Sequence, residues 1–236
     1  MPVTANGTLK SSTGTAATTL ILTATSAIGD MRLFYSKVAS NTITVSSISG
    51  GNATTWTQVA GPNVDTNASV GSHEMWLGVC TSAGTTTITV TWSAAVTGLA
   101  IDFDCQTFSF GNASTLWSKD GAQSGFLNNA SSTTITYPSL TAQNGGQLCV
   151  CHSRNPSGGT YGTPTGGGFT WVTQSDANGN TFVYSLSTGP GAVAPTQSST
   201  ATLSYAIGVL ILVSTPPTLR RRPSGLSQAV NRSATY

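Results

Sequence analysis

At 236 residues, with 38% hydrophobic residues and a formal net charge of +2, the chain is long enough for one large all-β domain or two small ones. Only 7% of the residues are charged, against about 25% in ordinary soluble domains. This excludes a disordered, charge-rich chain and poorly suits a free cytosolic enzyme, which is kept dispersed by surface charge. Ser, Thr, Asn and Gly carry the polarity instead, as suits a subunit locked into an assembly.

Residues 1–17 are small and polar, with Val3 and Leu9 as the larger apolar anchors, and read as an extended arm or edge strand. Met1 to Thr8 has neither a basic n-region nor an apolar h-region, so no signal peptide is expected and assembly in a cytoplasm is. Strands follow at Thr18–Thr25 and, after a Gly29-Asp30 turn, at Met31–Ala39. Thr42 to Ile48 alternates with period two, and Gly50-Gly51-Asn52 turns the chain. Thr54 to Ala60 is a tryptophan strand that Pro62 is expected to end; His73 to Thr81 follows a polar loop. Ser82-Ala83-Gly84 reads as a hairpin turn into the Thr/Ile/Val strand Thr85–Ser93, and Gly98 to Phe110 closes the series. Residues 111–131 read as a looser connector. No 12-residue window has helical periodicity.

The series then recurs. Gly50-Gly51 leading to Thr55-Trp56 returns as Gly167-Gly168 leading to Thr170-Trp171, with the tryptophans 115 residues apart. Thr18–Leu22 matches Thr133–Tyr137, Gly29–Leu33 matches Gly145–Leu148, Met75–Val79 matches Phe182–Leu186, and the apolar run at Gly98–Ile101 matches Ala206–Val213. The offset slips to about 108 late in the unit, as a shortened loop would cause. The predicted fold class is all-β: an antiparallel, jelly-roll-like sandwich built from two repeated units of about 110 residues, 1–110 and 111–215, with an extended basic arm over 216–236. Units of about five strands are too open to bury both faces alone, so one double-layer sandwich with a pseudo-two-fold is expected, with two tandem sandwiches as the alternative. Both Trp56 and Trp171, in equivalent places, are expected in the core.

Chemistry is sparse. The two histidines, His73 and His152, lack the surroundings of a Ser-His-Asp site, and no Gly-x-Ser-x-Gly elbow occurs. Asp102 and Asp104 share one face of a strand, a pair read as solvating a strand end or meeting a cation rather than as a glycosidase dyad. Cys149 and Cys151 share a face without a Cys-x-x-Cys pair, and His152 points away from them, so the four cysteines read as buried thiols. No catalytic, cofactor or metal residues are assigned, and no enzyme is expected. The longest apolar run, Ala206–Val213, is far short of the roughly 20 residues that span a bilayer. Trp117 and Tyr161 fall in predicted loops and are the candidates for surface contact.

Pro216-Pro217 stops the last strand. The body, 1–217, holds five basic and seven acidic residues, whereas the tail holds Arg220, Arg221, Arg222 and Arg232 and no acid. That contrast suits an arm, ending at Tyr236, that docks through its arginines on the body of another copy. Three clustered arginines without interleaved aromatics make a thin footprint for nucleic acid.

The opening Met1-Pro2-Val3-Thr4-Ala5, the Thr18–Leu22 strand, the Gly29-Asp30 turn, Gly50-Gly51 to Trp56, Glu74–Val79, Thr85–Ala95 and Asn129–Thr134 together resemble minor tail proteins of siphophages that infect actinobacteria. The resemblance covers most of 1–215. It implies a β-rich, non-enzymatic virion protein on the tail or the capsid exterior, whose partners are other virion subunits, including copies of itself. The alternatives are a capsid decoration protein and a module that contacts host-envelope glycans.

Truncation after Thr215 is therefore expected to leave the melting temperature nearly unchanged while sharply reducing incorporation into particles. Thermal unfolding and a particle incorporation assay check the two halves of this expectation separately.

Overall fold

Short runs of β-branched and aromatic residues, punctuated by glycine, produce an all-β chain. The computed structural model describes residues 2–14, 19–65, 71–96, 99–130, 132–155, 159–175, 179–200 and 202–216. Arg220, Arg221, Arg222, Arg232 and Tyr236 lie outside the described residues.

The first half contains β1 (Thr4–Gly14), β2 (Thr19–Ser26), β3 (Met31–Val38), β4 (Val45–Gly50), β5 (Ala53–Asp65), β6 (Gly71–Cys80), β7 (Gly84–Trp92) and β8 (Ile101–Ser109). The second contains β9 (Leu116–Ala130), β10 (Thr134–Thr136), β11 (Leu140–Ala142), β12 (Gln147–Arg154), β13 (Val172–Ser175), β14 (Asn180–Thr188), β15 (Gly191–Val193), β16 (Thr196–Ser198) and β17 (Leu203–Ser214). In the first half a sheet ordered β1-β8-β3-β6-β5 faces a smaller one ordered β2-β7-β4. In the second, β9-β17-β12-β14-β13 faces the short pairs β10-β16 and β11-β15, with bridges from Tyr161 to Ser199 and from Thr165 to Thr196. The two five-stranded orders agree when β9 takes the place of β1, β17 of β8, β12 of β3, β14 of β6 and β13 of β5. All the strand pairs are antiparallel, and the alternation of long and short sheets is that of a jelly roll.

Each half thus has two layers of its own, and the expected single double-layer sandwich is corrected to four layers. The reason is strand number: among the described residues, eight strands in the first half and nine in the second, several of them only three or four residues long, close over both faces. Ala24, Phe34, Ile88, Val90, Trp92 and Phe103 fill the first half's own core. Ile135, Tyr137, Cys149, Cys151, Val183 and Leu210 fill the second's. The two five-stranded sheets then pack on each other through a third cluster, the seam, which includes Met31, Leu33, Met75 and Phe108 from one side and Leu148, Val150, Tyr184 and Val209 from the other. Period-two alternation sends Leu33 and Tyr35 of β3 into the seam and Phe34 and Val38 into the first half's core.

Four local expectations are corrected. Ser82-Ala83-Gly84 does not close a hairpin, because β6 and β7 belong to different sheets and the turn carries the chain between layers. Pro62 does not end its strand: β5 continues to Asp65 through register shifts on a sheet edge, where proline is tolerated. Thr42–Thr44 lie outside β4, which begins at Val45. The connector over 111–131 is mostly β9, a 15-residue edge strand whose Ser, Asn and Gly content hid it. The N-terminal stretch is an edge strand, β1, paired with β8.

The tryptophans show how the turns are held. Gly50, Gly51 and Asn52 all have positive φ (72°, 72° and 62°), a run that glycine accepts without Cβ strain. Trp56 on β5 donates its indole N–H to the Gly50 carbonyl at 3.2 Å, and its ring lies on Gly78, directly opposite in the ladder. Trp171, just before β13, donates to the Gly166 carbonyl at 2.9 Å. Trp171 is buried, whereas Trp56 is only half-buried.

A Cβ at Gly78 would stand 2.9 Å from the Trp56 ring. Gly78→Ala should therefore cost about 1–3 kcal/mol, as overpacking does, and much less in a Trp56→Ala background. A double-mutant cycle by urea denaturation measures this; equal costs in both backgrounds would remove the indole as the cause.

Candidate functional site

Ionisable side chains gather at one end of the seam because three central strands each carry a same-face pair there: Tyr35 and Lys37 on β3, Asp102 and Asp104 on β8, His152 and Arg154 on β12. Lys37 stands opposite both Asp102 and His73 in the ladders, and Tyr35 stands opposite Asp104. Across the seam, Arg154 Nε donates to Asp102 Oδ2 at 2.5 Å, and His152 Nε2 meets Asp104 Oδ2 at 2.7 Å. The Tyr35 hydroxyl is 2.8 Å from His73 Nδ1, and its ring stacks on His152 with centroids 3.4 Å apart. Phe126, Tyr205 and Phe182 pack around the two imidazoles. At the seam's edge Asn128 on β9 donates to Asp65 on β5 at 3.0 Å.

These groups are dry. His152 and Asp104 have no exposed surface, and Arg154 is the most exposed of the cluster's charged residues at 8%. Burial, helped by Lys37 and Arg154, lowers the His73 pKa to about 3. Burial, with His73 and Arg154, holds His152 well below the ordinary histidine range. Both imidazoles are therefore neutral at pH 7, and His152 donates Nε2–H to the Asp104 carboxylate. Burial lowers Lys37 to about 8 and raises Tyr35 well above its usual value. The reading of Asp102 and Asp104 as a solvated strand end or cation site is corrected: they face the opposite sheet and are held by Arg154 and His152. Buried between the two sheets, the cluster ties one to the other through Arg154–Asp102 and His152–Asp104. Among the described residues no group of three or more His, Cys, Asp or Glu could hold a metal ion, and none lies in a helix long and apolar enough to cross a membrane.

Trp117 is buried, and Tyr161 is only partly exposed. Trp117, on β9, is 7% exposed and donates its indole N–H to the Gly29 carbonyl at 2.8 Å, tying the second half to a turn of the first. Tyr161 is half-buried against the second half's core and donates its hydroxyl to the Gly179 carbonyl. Trp117 thus lies on a strand rather than in a loop, whereas Tyr161 lies outside the named strands and makes an isolated bridge to Ser199.

Five of the seven acidic residues are buried: Asp30, Asp65, Glu74, Asp102 and Asp104. Asp120 is half-buried and accepts from Gln147 at 2.5 Å. The acidity that the sequence offered to the arginine arm therefore lies inside the body. Glu74, unassigned in the sequence, accepts from Val45 N at 2.7 Å, Gln58 at 2.8 Å and Trp76 at 3.0 Å, so it fastens β4 onto the large sheet; burial nevertheless raises its pKa. A depression of about 380 Å³ is lined by Gly168, Phe169, Thr170, Val172, Ser185 and Leu186, none of them ionisable.

Comparison with family models, with curated proteins and with solved structures returned no match.

Removing one partner of a buried pair strands the other. Arg154→Ala should cost about 3–5 kcal/mol, whereas replacing Asp102 and Arg154 together by leucine should be close to neutral. Urea denaturation of the single and double variants checks the contrast.

Proposed function

We propose that the protein is a structural subunit of a bacteriophage virion, a minor tail protein that works through contacts with other virion subunits and copies of itself, without catalysis or a cofactor. The observation that supports this best is the location of its charge. Among the described residues most charged groups are buried, several of them binding the two halves together, and only Lys10, Lys119 and Asp120 keep charge at least partly outside. Such a surface gives an isolated copy little colloidal protection, but it suits a body covered by neighbours. The resemblance to siphophage tail proteins points the same way. The burial of the acidic residues leaves a basic arm few carboxylates on a neighbouring body, so in this reading the arm's contacts rest on backbone pairing to a sheet edge.

A glycan-contact role is the second reading, and one face favours it. The outer side of β2-β7-β4 presents Thr23, Thr25, Thr85, Thr87, Ser47 and Ser49 to solvent, and the three strands contain no ionisable residue. A capsid decoration protein would share the features above.

Gold-labelled antibody on intact particles is expected to mark tails. Label on the capsid exterior would transfer the role to decoration. Absence of the protein from purified particles would remove the virion reading, and retention on envelope polysaccharide that Thr87→Lys abolishes would then favour the glycan role.

A further inference from the structure

The chain has only two histidines, and both lie in one dry cluster with one on each side of the seam. His73 comes from β6 and His152 from β12, and Tyr35 bridges them by its hydroxyl and its ring. On each imidazole one nitrogen is bonded; His73 Nε2 and His152 Nδ1 have no hydrogen-bond partner. A proton added to either would create a buried cation with no acceptor for the new N–H. The groups facing this pair are Lys37 from β3, Asp65 from β5, Asp102 and Asp104 from β8, Asn128 and Phe126 from β9, Arg154 from β12, Phe182 from β14 and Tyr205 from β17. Two of them, Lys37 and Arg154, are cations that oppose a further positive charge, but burial is the larger cause. The closed seam therefore holds both imidazoles neutral to lower pH than a hydrated arrangement would.

The remainder of the seam core holds no group that titrates in acid; its one further ionisable side chain there, Tyr184, has its pKa raised by burial. Met31, Leu33, Leu77, Leu148, Val150, Val209 and Ile211 are aliphatic, and separating them from their partners is opposed by the hydrophobic effect at every pH. At the charged end, desolvation offsets most of what pairing gains, so closure there is the cheapest to undo. We propose that the charged end of the seam is an acid-opened wedge: on acidification the sheets part along the β5–β9 edge, exposing Tyr35, Phe126, Phe182 and Tyr205 while the aliphatic end stays closed. A surface of aromatic side chains is thus presented to a partner in acid and withheld at neutral pH.

The direction follows from the lowered histidine pKa values. The neutral forms stabilise closure fully above about pH 6.5, the ordinary histidine value, and this is lost as pH falls toward the folded value, about 3 for His73. Two protons taken up on opening change the opening constant by about 100-fold per pH unit.

The four cysteines make the test specific. Cys105 lies in the first half's own core, Cys149 and Cys151 lie in the second's, and Cys80, also buried, bonds to Gly51. Thiol reactivity therefore reports the opening of a half, not of the seam. Full-length protein is taken from pH 7.5 to about pH 4.5, about two units below the ordinary histidine value. Binding of an amphiphilic fluorescent dye, pH-corrected hydrogen exchange and dithiodipyridine reaction with thiols are followed. The expected result is dye binding and faster exchange along β5, β9 and the charged ends of β6 and β17, with the thiols still protected. The paired His73→Gln and His152→Gln substitutions should abolish the response. If that variant does not fold, the wild-type slope decides: about two protons per opening event above pH 4.5 supports the wedge. A response that begins only below about pH 4, in the carboxylate range, overturns it, as does thiol reaction in step with dye binding.

Discussion

The contact between the two five-stranded sheets covers β3 and β12 on both faces along their whole length, and β8 nearly so. Antiparallel sheets commonly keep one face in water and show it as apolar-polar alternation. Here alternation survives, but it separates two interiors: one set of side chains enters a half's own core and the other enters the seam. Polar side chains on these strands have no water to turn to, and a buried polar group without a partner is costly. That requirement pairs Asp102 with Arg154 and Asp104 with His152, and brings the Asn128 amide to Asp65 at the edge.

The seam also explains the placement of the connections. In the first half only β5 and β6 are neighbours both in sequence and in the sheet. The other connections carry the chain from one sheet to the other, and those through Gly29, through Gly50–Asn52 and through Gly84 do so with positive φ. Gly50 would place a Cβ 2.2 Å from the Thr87 carbonyl of β7, its neighbour in the same small sheet, and Gly29 would place one 2.3 Å from the Asn112 carbonyl of the segment that joins the halves. Trp117 then closes on the Gly29 carbonyl. A turn in one half is thus shaped to receive a strand of the other.

Much of the fold was legible because its signals are local. Period-two runs placed β2, β3, β6, β7 and β8 within a few residues, and the matched landmarks fall on strands with the same place in the two large sheets, β3 with β12 and β6 with β14. What failed depended on partners distant in sequence. β9 has few apolar residues because an edge strand needs only one covered side, so its composition looked like a linker. Trp117 looked exposed for the same reason. The turn at Ser82-Ala83-Gly84 has hairpin composition, and only the pairing of β7 with β2 and β4 shows that it changes sheets. The charged end of the seam did leave a trace: Tyr35/Lys37, Asp102/Asp104 and His152/Arg154 are each two residues apart in otherwise apolar strands. Read singly, each pair looks like a solvated strand end. Read together, three such pairs in strands too apolar to face water imply that they face one another.

The same constraint bears on what the outside can do. Sixteen residues in the chain carry formal charge, and the interior holds Asp30, Arg32, Lys37, Asp65, Glu74, Asp102, Asp104 and Arg154. Charges fixed in a dry seam orient two sheets, but they do nothing to keep separate copies apart in solution. A chain that needs few ions outside can place them inside, and a subunit whose faces are covered by its neighbours needs few outside. The seam chemistry and the assembly reading are therefore connected. Under the proposed assembly role, the hydroxyl- and amide-bearing faces are ones that a neighbouring copy can cover without stranding an ion.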